Sequence, residues 1–85
     1  MSKIVVLGAG ESGVGAAVLA KVKGMDVFVS DMSLIKENYK NLLNSYNIGW
    51  EEGQHTESRI LDADEVVKSP GIPNEAPLVQ KLIAQ

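Results

Sequence analysis

The chain has 85 residues, which is enough for one small domain, and it contains no cysteine. The missing cysteine excludes a disulfide framework, a thiol nucleophile and a thiolate metal site, and it is typical of a cytoplasmic protein. Eleven acidic residues against eight basic ones give a net charge of −3, which argues against general nucleic-acid binding, and the apolar stretches are too short to cross a membrane.

Residues 3–13 predict a strand, a phosphate-binding loop and a helix in direct succession. A β-branched apolar run leads into the G-x-G-x-x-G motif Gly8-Ala9-Gly10-Glu11-Ser12-Gly13. We expect Gly8 to permit a tight turn, Gly10 to let a diphosphate approach the backbone, and Gly13 to let the helix pack close to the strand. Because a helix N-terminus favours an anion, the motif predicts a nucleotide or diphosphate ligand. The alternative is a structural turn that binds nothing.

The next elements follow from the spacing of the apolar residues. A first helix is predicted to end at Gly24, and its buried face has four members: Val14, Ala17, Val18 and Val22. A second strand covers residues 26–30 and ends at Asp31. A second helix is predicted from a stripe of five apolar residues: Ile35, Tyr39, Leu42, Leu43 and Tyr46.

The second half of the chain continues this alternation. A weak third strand over residues 48–51 precedes a short helix that buries Ile60 and Leu61, and a fourth strand covers residues 65–68. A proline-rich turn then leads into a last helix with Pro77 in its first turn. The order β-α-β-α-β-α-β-α predicts an α/β fold, a Rossmann-like parallel sheet with flanking helices. We expect the chain to stop before the last strand of that sheet, so that residues 1–85 form one domain of a longer protein.

Two segments are predicted to lie on the same rim of the sheet as the glycine motif. Asp31 ends the second strand, where an open α/β sheet places an acidic group that hydrogen-bonds a ribose or a base. Its alternative is an aspartate that only forms a turn or caps the next helix. Ser69-Pro70-Gly71 follows the fourth strand, and its alternative is a rigid turn fixed by proline and glycine.

The remaining polar residues give no candidate catalytic residue and no candidate metal ligands. His55 lies in a polar loop and is interpreted as a solvated loop residue. The pair Glu51-Glu52 and the group Asp62, Asp64 and Glu65 are interpreted as solvated acidic faces rather than a metal site.

Taken in order, these motifs resemble the N-terminal domain of the Mur ligases, and among them most the group that adds D-glutamate. The resemblance covers essentially all 85 residues and rests on four segments: Gly8-Ala9-Gly10-Glu11-Ser12-Gly13, Asp26-Val27-Phe28-Val29-Ser30-Asp31, Glu52-Gly53-Gln54-His55-Thr56, and residues 63–73 with their Ser-Pro-Gly-Ile turn. This turn, placed after the glycine loop and the strand-end aspartate, is considerably more specific than the glycine motif, because dinucleotide dehydrogenases have no regular need for it.

The resemblance implies a three-domain cytoplasmic enzyme of peptidoglycan synthesis. Its first domain would hold the UDP part of UDP-N-acetylmuramoyl-L-alanine, while ATP and magnesium would bind to a central domain and D-glutamate to a C-terminal one. The family's G-x-x-G-K-[ST] loop has no match in this chain. The resemblance therefore implies that these 85 residues bind the nucleotide without catalysing, and hold no cofactor themselves.

Carried over position by position, the resemblance implies three groups of UDP-binding residues. They are the loop residues Gly10, Glu11, Ser12 and Gly13 at the uracil and phosphates, Asp31 with Met32 and Ser33 at the uracil, and Ser69, Pro70 and Gly71 closing over the nucleotide. Two positions depart from the family. Glu11 is charged where members often carry an apolar residue. Met32-Ser33 stands where a hydroxyl and then a basic residue are common, so a side-chain hydroxyl contact there would be either missing or shifted to Ser33.

Two other functions stay open at this point. In an NAD-binding domain of an oxidoreductase, Asp31 would accept a hydrogen bond from the ribose 2′-hydroxyl. A non-enzymatic nucleotide-sensing domain would also use the glycine loop. Residues beyond position 85 would distinguish them, because a ligase continues with G-x-x-G-K-[ST] and a dehydrogenase with further Rossmann strands.

Overall fold

The computed structural model describes residues 2–68, in which strands and helices alternate along the chain. The elements are β1 (Lys3–Leu7), α1 (Glu11–Val22), β2 (Asp26–Asp31), α2 (Glu37–Ser45), β3 (Gly49–Glu52), α3 (Glu57–Leu61) and β4 (Glu65–Lys68). The predicted turn at Ser69-Pro70-Gly71 and the last helix lie outside the described residues.

The strands form a parallel sheet in the order β3-β2-β1-β4. Leu7 pairs with Ser30 on one side and with Lys68 on the other, and Asp31 pairs with Glu52. The carboxyl ends of these strands therefore meet at one rim of the sheet. This architecture confirms the predicted α/β fold with a Rossmann-like parallel sheet and flanking helices.

The core has two layers because successive strand residues point to opposite faces of the sheet. Helices α1 and α2 cover the face that carries Val6, Val27 and Val29, where they bury the larger cluster. On the opposite face, Ile60 of α3 packs against Val5 and Leu7.

Both longer helices end in Schellman motifs, in which a residue with positive φ follows the last turn. After α1, Gly24 has φ +86°, its amide donates to the carbonyl of Lys21, and the Met25 amide donates to that of Ala20. This confirms the predicted helix end at Gly24. After α2, Asn47 takes the same place with φ +58°.

Three apolar residues that the helical spacing assigned to buried faces are exposed. Val22, in the last turn of α1, is 68% exposed, while Ala20 is buried instead. Leu42 and Tyr46 are 40% and 39% exposed on α2. The row of that region that faces the core has three members, of which Ile35 and Leu43 are buried and Tyr39 is partly buried. Ile35 belongs to this row although it precedes the helix.

Candidate functional site

The glycine motif forms a tight connection between β1 and α1. Gly8 has φ +97°, a conformation that glycine adopts without strain, and its amide donates to the Ser30 carbonyl at 2.8 Å. A Cβ added at Gly13 would lie 1.8 Å from the carbonyl oxygen of Gly8, whereas one added at Gly10 meets no atom within 4 Å. The geometry therefore agrees with a turn at Gly8, an open approach at Gly10 and close packing at Gly13.

The start of α1 presents backbone amides at the rim of the sheet. Gly10 is the N-cap and offers no side-chain hydrogen bond, and Val14 is the first residue whose amide donates back into the helix, to the Gly10 carbonyl at 2.9 Å. The amides of Glu11, Ser12 and Gly13 precede it and have no acceptor within the helix. Because Gly10, Glu11 and Ser12 are exposed, this terminus is open to an anionic ligand.

Asp31 joins the turn after β2 to the glycine loop. One carboxylate oxygen accepts the amide of Ser33 at 2.8 Å, which is the turn-forming contact, and the other accepts the amide of Ala9 at 2.8 Å. Each carboxylate oxygen has two lone pairs, so a further hydrogen bond to a ligand remains open to it. Asp31 therefore forms a turn and at the same time fixes the position of the loop.

The other residues of this turn and one further loop complete the described part of this rim. Met32 is 60% exposed, and Ser33 is exposed beside it. The loop after β3 packs against this turn, since the Gly53 amide donates to the Ser33 carbonyl at 3.3 Å and the Gln54 amide to the Asp31 carbonyl at 3.4 Å. The structure thus brings together the predicted residues of the glycine loop and of positions 31–33. Ser69, Pro70 and Gly71 lie outside its described part.

A polar cluster that the sequence did not predict lies behind this rim. The Ser30 hydroxyl is fully buried and lies 2.5 Å from His55 Nδ1, 2.8 Å from a Glu51 carboxylate oxygen and 3.2 Å from the Gln54 carbonyl. Glu51 also accepts the amide and the hydroxyl of Thr56, at 2.8 and 2.6 Å. The interpretation of His55 as a solvated residue is wrong, because it is half-buried against Ser30. The feature of the sequence that could have revealed this cluster is a serine at a buried strand position, since a buried hydroxyl needs a hydrogen-bond partner.

The two consecutive glutamates of β3 are bound on opposite faces of the sheet, which corrects their interpretation as a solvated acidic face. Burial raises the pKa of Glu51, but the hydrogen bonds from Thr56 and Ser30 lower it more, so that the pKa lies below its usual value. Glu52 accepts the Ile35 amide at 2.9 Å and pairs with Lys40 at 2.9 Å. The bond from Lys40 and then that from Ile35 lower the pKa of Glu52.

Three further observations concern residues 2–68. No group of three or more histidine, aspartate or glutamate side chains in this part of the chain is placed to hold a metal ion. Asp62, Asp64 and Glu65 are exposed, as expected of a solvated face, although Asp62 pairs with Lys3 at 3.0 Å. None of the described helices is long and apolar enough to cross a membrane.

Comparisons with known proteins identify relatives over the whole chain. A family model described as the MurD N-terminal domain matches residues 3–78. The chain is 72% identical over 85 residues to the UDP-N-acetylmuramoylalanine–D-glutamate ligase of Bacteroides thetaiotaomicron, and 60% identical over 82 residues to that of Porphyromonas gingivalis. These matches cover 100% and 96% of the chain but only 19% and 18% of the relatives. The chain therefore spans about a fifth of their length.

A solved structure has the same fold. The pseudomurein peptide ligase type C of Methanothermus fervidus superimposes with a TM-score of 0.86 over 98% of the chain, at 33% sequence identity. The match covers 18% of that protein. Relatives by sequence and by structure are thus named ligases, and the chain corresponds to one part of each.

Proposed function

The chain belongs to the MurD N-terminal domain family, and we propose that it binds the UDP part of UDP-N-acetylmuramoyl-L-alanine for an ATP-dependent D-glutamate ligase of peptidoglycan synthesis. The observation that carries the proposal is the rim where open amides at the start of α1 lie beside a turn fixed by Asp31. The names of the relatives supply the substrate and the reaction. Because those relatives are ligases, the NAD-binding alternative has no support from them.

The diphosphate would bind to the backbone of the glycine loop. The amides of Glu11, Ser12 and Gly13 supply donors and the helix dipole supplies positive potential. Gly10 leaves the approach open, since it has no side chain and no atom lies within 4 Å of the place where its Cβ would be. Within residues 8–13 there is no basic side chain, so in this loop the backbone provides the neutralisation.

The uracil would lie against the turn at positions 31–33. The Asp31 carboxylate already accepts two backbone amides, which orient it, and its remaining lone pairs can accept the uracil N3–H. Met32 offers exposed apolar surface to the base, and Ser33 offers a hydroxyl. Ser69, Pro70 and Gly71 are proposed to complete the site.

The chemistry would take place outside these 85 residues. In the proposed cytoplasmic ligase, ATP phosphorylates the substrate carboxylate and the amine of D-glutamate attacks the resulting acyl phosphate to form an amide, with release of phosphate. Other domains would hold ATP, magnesium and D-glutamate. The role of this chain is to hold the nucleotide end of the substrate, so that remote binding energy positions the reacting carboxylate.

An NMR titration of the 85-residue chain with UDP tests the proposal. We expect shifts in the amides of residues 8–13 and 31–33 and a dissociation constant in the millimolar range, about −4 kcal/mol, because the rest of the substrate's binding surface is absent. Gly10→Val should abolish these shifts, since its methyl groups would fill space that is open at the loop and that the diphosphate is proposed to enter. If NAD produced the same shifts at a tenfold lower concentration than UDP, a dinucleotide would be the better ligand and the proposal would be wrong.

A further inference from the structure

The polar cluster behind the rim has one hydroxyl proton and more than one acceptor for it. Glu51 is an acceptor only, because its lowered pKa keeps the carboxylate ionised, and the Gln54 carbonyl is also only an acceptor. Ser30 is completely buried, so water does not compete for its hydroxyl. Between these two acceptors, the shorter contact, 2.8 Å against 3.2 Å, favours Glu51 as the one that takes the hydroxyl proton.

This assignment fixes the role of His55. If the Ser30 proton is donated to Glu51, the serine oxygen can only accept from the imidazole, and His55 Nδ1 must carry a proton. The reverse arrangement would direct the serine proton to His55 and leave two oxygen lone pairs facing each other across 2.8 Å. The network therefore runs from His55 Nδ1–H to Ser30, and from Ser30 to the Glu51 carboxylate.

The same cluster is connected to the rim through the backbone of the loop that contains His55. Gln54 connects the polar cluster to the rim, because its carbonyl is beside the Ser30 hydroxyl while its amide donates to the Asp31 carbonyl. Asp31 in turn holds the Ala9 amide of the glycine loop. A displacement of the His55 loop would thus reach the turn and the glycine loop through two successive contacts.

We propose that His55 is a positioning residue for the nucleotide site, which acts by donating from Nδ1 to Ser30 and so holds the loop at residues 53–56 against the turn at residues 31–33. The inference rests on the proposed function, since the site it positions is the UDP site. His55 need not touch the ligand. Its contribution is the orientation of Asp31 and, through it, of the loop amides that would bind the diphosphate.

The tautomer of His55 is the first test and needs no substitution. Ring ¹⁵N shifts of the parent chain should show a protonated Nδ1, with a cross-peak that connects its proton to Ser30. Neutral histidine in water usually carries its proton on Nε2, so this signature does not arise from an unconstrained loop. A proton on Nε2 alone would contradict the inference.

Variants of His55 give the second test. Asparagine places an amide NH₂ where Nδ1 lies, whereas glutamine reaches the position of Nε2, so the two are matched controls for each other. We expect His55→Gln to weaken UDP binding roughly 3- to 10-fold, the effect of one lost hydrogen bond, and His55→Asn to restore most of it. The amide shifts of Ala9 and Ser33 should move in His55→Gln and return in His55→Asn.

A double-mutant cycle with Ser30→Ala separates the network from general stability. If His55 acts through Ser30, the pair of substitutions should weaken UDP binding no more than Ser30→Ala alone. Additive losses would overturn the positioning role, as would equal binding by His55→Gln and the parent. Failure of the parent to bind UDP would instead contradict the proposed function, and the positioning role with it, whatever the tautomer.

Discussion

Gly13 and Gly15 lie on the same helix but differ in what surrounds them. Gly13 is buried against the Gly8 carbonyl, and the Val6 side chain is 3.4 Å from the place of its missing Cβ. Gly15 is exposed and has no atom within 4 Å of that place. The first glycine is thus required for close packing between α1 and β1, whereas the second one only adds backbone freedom to the unfolded chain.

This difference predicts opposite effects of the same substitution on stability. Gly13→Ala should lower the free energy of unfolding by roughly 1–3 kcal/mol, because the Cβ overlaps a backbone oxygen that no side-chain rotation can move away. Gly15→Ala should raise it by about 0.5–1 kcal/mol through helix propensity. Urea unfolding of both variants and the parent measures this. Equal effects of the two substitutions would show that α1 does not approach β1 as closely as the structure has it.

The roles of single residues differ in how far the sequence could predict them. Gly13 could be placed because spacing within one motif fixes its distance from Gly8. Asp31 could be placed at the rim because it ends a strand, but its bond to Ala9 depends on how two loops meet. Ser30 and His55 are 25 positions apart, and only the pairing of β2 with β3 brings their segments together. No local pattern contains that information.

At the scale of elements, β3 holds two neighbouring segments in place through its carboxylates. Adjacent strand residues point to opposite faces, so Glu51 reaches Thr56 at the start of α3, while Glu52 reaches Ile35 and Lys40 around the start of α2. A short edge strand with little buried apolar surface thus fixes two helix starts by hydrogen bonds. This makes the stability of these contacts dependent on the ionisation of two glutamates.

The lowered pKa values of Glu51 and Glu52 predict a loss of stability in acid. In the unfolded chain both carboxyls titrate near the reference value of 4.5, and in the folded chain they titrate lower. Their stabilising effect is therefore complete above pH 4.5 and is lost as the pH falls through the lower, folded-state values. Thermal unfolding between pH 7 and pH 3 should show a steeper decline for the parent than for the Glu51→Gln/Glu52→Gln variant.

Glu65→Gln is the control for this measurement. Glu65 is exposed at the start of β4, away from both helix starts, so its substitution should leave the pH dependence close to that of the parent. A double variant with the same slope as the parent would show that the acid sensitivity arises elsewhere in the chain.

Within residues 2–68, element type and order could be predicted, whereas the buried face of α2 could be predicted only in part. Ile35, Tyr39 and Leu43 form one row at intervals of four, and that row packs on the core. Leu42 and Tyr46 form the neighbouring row, which is rotated away from the sheet and is exposed. Periodicity identifies an apolar stripe, but the width of the contact depends on how a helix of nine residues lies on its neighbours.

At the scale of the whole molecule, parallel strands bring loops from distant parts of the chain to one rim. The described contributions come from residues 8–13, 31–33 and 53–56, each of which follows a different strand. The chain as a whole is acidic, with a net charge of −3. The proposed recognition of a diphosphate at this rim would therefore depend on the orientation of backbone amides rather than on the overall charge. We expect it to require both the base and the phosphates.

The stabilisation of the folded chain by added ligand tests whether binding requires both the base and the phosphates. At ten times its dissociation constant, UDP should stabilise the folded chain by about 1.4 kcal/mol. For a domain of this size, that corresponds to an increase in melting temperature of roughly 6–11 °C. Uridine and inorganic pyrophosphate at the same concentration should each give a much smaller increase, because each reaches only one of the two halves of the site, the turn at residues 31–33 or the amides of α1.

The comparison among UDP, uridine and pyrophosphate tests whether the turn at residues 31–33 binds the base and the amides of α1 bind the phosphates. A joint effect of UDP larger than the sum of uridine and pyrophosphate is expected, since one molecule that spans both halves loses its translational freedom only once. The Gly10→Val variant should lose the response to UDP and to pyrophosphate but keep a weak response to uridine. If pyrophosphate alone stabilised the parent as much as UDP does, the turn at Asp31 would contribute nothing to binding, and its carboxylate would serve only to hold Ala9 and Ser33.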